Sequence, residues 1–68
     1  MIVTYFKDTD TALLEFTDKP VTETRELNEN VYIDLDADKN LVAITIEHAK
    51  LNGSLPTVEI REIEQGAA

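Results

Sequence analysis

The stretch Val31 to Glu47, VYIDLDADKNLVAITIE, constrains the fold more than any other part of the chain. Val31, Ile33 and Leu35 alternate with Tyr32, Asp34 and Asp36, and Val42, Ile44 and Ile46 alternate with Leu41, Ala43 and Thr45. Successive side chains of a strand point to opposite faces, so each apolar trio occupies one face of its strand. A reversal at Asp38-Lys39 sets Ile33 against Ile44, Leu35 against Val42 and Val31 against Ile46, gathering the large apolar side chains on one side. Slipping the register by one residue would set Leu35 against Ala43 and Asp36 against Val42, mixing the faces, so the pattern selects the register. The expected connection is a two-residue loop with positive φ at both Asp38 and Lys39.

A second hairpin precedes it. Ile2 to Phe6 is a β-branched and aromatic run, Lys7 to Thr11 is polar, and ALLEF, Ala12 to Phe16, returns with Ala12, Leu14 and Phe16 on one face. Pairing Tyr5 with Leu14 and Val3 with Phe16 joins this apolar side to the common core and leaves Phe6 and Leu13 pointing outward. Thr17 to Pro20 is a turn. Val21 to Leu27 alternates weakly and reads as a polar strand at or near a sheet edge. After Glu47, His48 to Leu51 forms one helical turn, stopped by Asn52-Gly53. TVEIREI, Thr57 to Ile63, fits either period; its β-branched content favours a strand. Residues 64 to 68 read as a frayed tail. The fold class is therefore a mainly β, β-rich α+β domain over residues 1–68: an antiparallel meander of four or five strands with a helical turn near residues 48–52.

Sixty-eight residues with no cysteine bury only about 60% of the unfolded surface, without disulfides or thiolate-held zinc to help. A homodimer is the expected remedy, since a helical turn and a short tail hardly cover a whole apolar sheet face. Fourteen acidic against six basic residues give a net charge of −8. That field repels nucleic acid and anionic membranes and favours either plain solubility or a basic protein partner. No apolar run of spanning length and no leader or lipidation pattern is present, so the expected location is cytoplasmic.

Each residue that might carry chemistry has a simpler role. Asp34, Asp36 and Asp38 form D-x-D-x-D, but a helix-loop-helix calcium site needs glycine and glutamate where this chain has Lys39 and Thr45. Asp8 and Asp10 suit turn capping better than a glycosidase pair, which needs a cleft. His48 has no nucleophile in a recognisable setting, and Ser54 lies outside any G-x-S-x-G context. Tyr5, Phe6, Phe16 and Tyr32 have too few cations around them to stack on nucleic acid. No catalytic, cofactor-binding or metal-binding residue is expected, and no cofactor.

Tyr5, Asp10, Leu14, Val31, Asp34, Asp36, Asp38, Val42, Ile44, Ile46 and Ala49 together follow a known order. Over residues 2 to 49 the chain resembles the short bacterial proteins grouped as domain of unknown function 2283. Their pattern runs from an apolar strand ending in Tyr-Asp, through a proline-bearing acidic turn and Asp-x-Leu-Tyr-Ile, to V-x-x-D-x-D-x-D-G-x-x-V-G-I-E-I and an alanine. Phe6, Lys7, Ala12, Leu13, Lys39, Ala43 and Thr45 depart from it. The resemblance implies a small β-rich fold. Because some such proteins sit beside small toxin-like genes, it also implies an antitoxin-like role.

The functional expectation is a protein-binding module that is not an enzyme. Phe6 and Leu13 supply outward apolar anchors, and Glu15, Asp34 and Glu47 supply an acidic surround. The partner class is a small basic protein. The alternative is a self-assembling structural homo-oligomer with no other ligand; a small hydrolase or metal-dependent enzyme ranks behind both.

Overall fold

A computed structural model describes residues 1–53, 55 and 57–66. Five strands form one antiparallel sheet: β1 (Ile2–Phe6), β2 (Thr11–Glu15), β3 (Glu23–Asn28), β4 (Val31–Leu35) and β5 (Leu41–Ile46). A four-residue helix, α1 (Ala49–Asn52), follows. The mainly β class expected from the alternation is what the chain adopts, and the polar third strand does lie at an edge.

The strand order is β1-β2-β5-β4-β3, which is not a meander. β5 inserts between β2 and β4, so β2, β5, β4 and β3 have a Greek-key order. The apolar strand LVAITI thereby gains a neighbour on each side, while the charged ETRELN keeps only one. Phe16 to Thr22 makes the crossing. Three strand spacings amount to about 14 Å, within reach of about 23 Å for seven extended residues. Its ends are tacked down by Phe16 N–H donating to the Val42 carbonyl at 2.8 Å and Thr22 N–H to the Leu35 carbonyl at 2.9 Å.

In the β4–β5 hairpin, Val31 faces Ile46 and Ile33 faces Ile44, as the alternation requires. The register then shifts between Asp34 and Leu35, so that Leu35 faces Leu41 rather than Val42. The loop is not the expected two-residue turn. Lys39 N–H donates to the Asp36 carbonyl at 3.0 Å, Asp36 N–H donates to the Asn40 carbonyl at 2.9 Å, and Lys39 has φ 68. This is a three-residue loop, Ala37 to Lys39, in which a turn is followed by one left-handed residue. Asp36, only 6% exposed, enforces it: its Oδ1 accepts from Asp38 N–H and Asn40 N–H, each at 2.9 Å.

The first hairpin pairs Val3 with Leu14 and Tyr5 with Ala12, two residues tighter than expected. Its loop ends on Asp10 at φ 53. A shift of two leaves every side chain on the same face, so Phe6 and Leu13 still point outward.

The inner face carries Val3 and Tyr5 of β1, Ala12 and Leu14 of β2, Val42, Ile44 and Ile46 of β5, and Val31, Ile33 and Leu35 of β4. Among the described residues only Ala12, Leu35, Val42, Ala43 and Ala49 are buried hydrophobics, and no large side chain is fully buried. Thr57 to Gly66 forms neither the expected strand nor a helix, and all of it is exposed. Without a ladder neighbour, its alternation has nothing to pair with. The tail expected over 64–68 is described only to Gly66; Ala67 and Ala68, and Ser54 and Pro56 of the preceding connection, lie outside the described residues.

Candidate functional site

The outer face is built in three rows by the observed registers. The first runs Ile2, Glu15, Ala43, Asp34, Thr24; the second Thr4, Leu13, Thr45, Tyr32, Glu26; the third begins with Phe6 and Thr11. Alternation along β5 extends the third row to Glu47, whose N–H donates to the Asn30 carbonyl at 2.7 Å. All five residues singled out from the sequence, Phe6, Leu13, Glu15, Asp34 and Glu47, therefore share this face. Phe6 is 48% exposed at the edge strand, while Leu13 is half-buried near the middle.

Sequence reasoning passed over two members of the face. Tyr32 and Glu26 lie opposite one another across β3 and β4. Glu47 first, then Glu26, and partial burial hold the Tyr32 phenol above its ordinary pKa. The signal was present in the alternation of Tyr32 with Val31 and Ile33, but only the pairing with β3 brings Glu26 beside it. Glu15, Glu26, Asp34 and Glu47 thus stand on one sheet face, and no lysine or arginine occupies an outer-face strand position.

The cations lie elsewhere. Arg25 Nε binds Glu23 Oε2, and Lys39 Nζ lies 2.6 Å from Glu23 Oε1, all at the β3 end of the inner face. Those two hydrogen bonds, Arg25 first, lower the Glu23 carboxyl to about 2. Lys19 Nζ stands 3.9 Å from Asp36 Oδ2, and Arg61 pairs with Glu59 within the C-terminal segment.

The D-x-D-x-D residues divide into separate tasks. Asp34 accepts from the Thr24 hydroxyl at 2.7 Å, Asp36 holds the loop, and Asp38 is exposed in it. Among the described residues no group of three or more His, Cys, Asp or Glu side chains is placed to hold a metal ion. Asp10 caps more than its own turn. Its Oδ1 accepts from Tyr5 Oη at 2.6 Å and from Lys50 N–H at 3.3 Å, and its carbonyl accepts from Ala49 N–H at 2.9 Å. That carboxylate raises the Tyr5 phenol pKa, mainly through the hydrogen bond. Asp10 thereby ties α1 to the first hairpin, a link of 40 residues that no local motif announces. His48, left-handed at φ 52, places Nδ1 2.9 Å from Asn30 Oδ1 and pins the exit of β5 to the β3–β4 turn. Depressions beside Phe16 and beside Phe6 are shallow and open to solvent. No helix among the described residues is long and apolar enough to cross a membrane.

A family model described as protein of unknown function (DUF2283) matches residues 2–50, which span the sheet and the start of α1. The chain belongs to that family. DUF2283 membership therefore covers both hairpins, the Asp36 loop, the crossing segment and the Asp10 anchor, but not Thr57 to Gly66. No curated protein and no solved structure matches the chain.

Proposed function

We propose that this DUF2283 chain is a protein-binding module that uses the acidic outer face of its sheet to dock a small basic protein in the cytoplasm. The observation that carries the reading is the grouping of Glu15, Glu26, Asp34 and Glu47 around Leu13, Thr45 and Tyr32, without a basic side chain in the strand positions between them. Apolar and aromatic groups inside a ring of one charge suit an interface: the centre excludes water, and the charge speeds and selects the encounter. Phe6 at the edge supplies an exposed aromatic anchor. An antitoxin-like inhibitor, blocking a small basic toxin by covering its surface, is the form of this reading that the gene-neighbour resemblance favours. Catalysis has no part in it.

The test is capture from native lysate at low and high salt, with wild type and Phe6→Ser compared and the bound protein identified by mass spectrometry. The expected result is one small basic protein, held less well at high salt and lost with Phe6→Ser. Recovery of no basic protein, or recovery indifferent to both changes, removes the outer face as the docking surface.

A further inference from the structure

Ala12, Leu35 and Val42 are buried on the inner face, but much of the rest of it stays uncovered within the chain. Val3, Leu14, Val31, Ile33, Ile44 and Ile46 all stay partly exposed. The C-terminal segment does not shield them: Val58, Ile60 and Ile63 are themselves 49%, 85% and 76% exposed. Two global measures agree. The radius of gyration is 14.1 Å, against about 11 Å for a compact chain of this length. The accessible surface is 5496 Å². A compact monomer of 7.6 kDa exposes about 4,300 Å², so the excess is roughly 1,200 Å². The exposed Thr57 to Gly66 contributes to that excess along with the inner face, and together they match the area of about 1,000 Å² or more that an obligate homodimer buries on each copy.

We infer that the inner face stacks on the inner face of a second copy, with the exposed C-terminal segment lying across the partner. The distribution of charge selects this occupant. The inner face carries one acid and one base, Glu23 and Arg25, already paired with each other, so two such faces meet without net repulsion. The carboxylates Glu15, Glu26, Asp34 and Glu47 all point away from the stack, where two copies of a −8 chain repel least. A partner selected by charge would have nothing to read on the inner face, whereas a second copy is present whenever the chain is made. Sheets stacked face to face sit about 10 Å apart with interdigitated side chains, which supplies the dry interior that one sheet lacks. The arrangement leaves both outer faces free and is independent of the acidic docking surface.

The chain has no cysteine, which makes the face directly testable. Light scattering on the full chain at tens of micromolar should give twice the mass of one copy, and the urea midpoint should rise with protein concentration. Single variants then locate the contact: Ile33→Cys on the inner face should react with a thiol reagent far more slowly than Thr45→Cys on the outer face, and dilution into the monomer range should abolish the difference. Thr45→Cys is nearly isosteric whereas Ile33→Cys removes two heavy atoms, so circular dichroism checks that each variant keeps the fold. A cooperatively folded monomer at tens of micromolar overturns the inference. So does a dimer in which Ile33→Cys reacts as fast as Thr45→Cys, because the contact then lies on another surface.

Discussion

The Glu23 carboxyl is held well below the usual carboxylate range. It receives Arg25 from its own strand and Lys39 from the β4–β5 loop, and its pKa falls from 4.5 to about 2. A carboxylate lowered on folding stabilises the folded state above its unfolded pKa and loses that contribution as pH falls through the folded value. The window therefore lies between about 4.5 and about 2. The expected outcome is a difference in urea midpoint between wild type and Glu23→Gln that is constant at neutral pH and shrinks through this window. The side chains are exposed, so the difference should be modest and should weaken with added salt. A difference unchanged down to pH 2 would mean that Arg25 and Lys39 do not hold the carboxylate in solution. None of this triangle was legible in the sequence. Glu23 and Arg25 read only as alternate members of a polar strand, and Lys39 read only as a turn residue. Asp10 was legible as a cap, but not as a cap on Lys50, because that contact exists only once β5 has returned beside β2.

Among the elements, the β4–β5 hairpin shows what a period of two does and does not specify. It set the faces, and it set Val31 against Ile46 and Ile33 against Ile44. It missed the loop because Asp36 settles that point through two side-chain bonds to backbone N–H groups, which hydrophobic alternation does not report. It missed the β1–β2 register because a shift of two changes no face, so every even shift has the same pattern. Strand order was equally hidden: alternation assigns a strand its faces, not its neighbours, and placing β5 centrally depended on the crossing from Phe16 to Thr22. The observed loop alters the turn prediction without reversing it. Only Lys39 is left-handed, at φ 68, a conformation that costs a non-glycine residue about 1 kcal/mol. Lys39→Gly relieves that strain and forfeits an exposed ion pair with Glu23, which is the weaker effect. The urea midpoint should therefore rise in Lys39→Gly, and should rise further when the same change is made in a Glu23→Gln background. A fall in both backgrounds would show that the lysine stem contributes packing that outweighs the strain.

For the whole molecule, the dominant long-range force is self-repulsion. Fourteen acidic side chains face six basic ones, and four of those bases are already engaged in ion pairs among the described residues. Four carboxylates outside those ion pairs, Glu15, Glu26, Asp34 and Glu47, share the outer face, where strand spacing of about 4.8 Å keeps neighbours well inside the screening length at low salt. That length falls from about 30 Å at 0.01 M to about 8 Å at 0.15 M. Screening weakens the ion pairs as well, but with a net charge of −8 the net effect of salt should be to stabilise the fold. The urea midpoint is expected to climb as sodium chloride is raised across this range. Glu47→Lys provides the local control. It removes the largest influence on Tyr32, so the Tyr32 phenol should titrate closer to its ordinary value in an ultraviolet absorbance titration, and the salt-induced climb should become shallower. If the midpoint instead falls as salt is added, the ion pairs around Glu23 outweigh the outer-face repulsion. If Glu47→Lys leaves both Tyr32 and the salt slope unchanged, the carboxylates of the outer face do not act together, and the acidic docking surface loses its electrostatic basis.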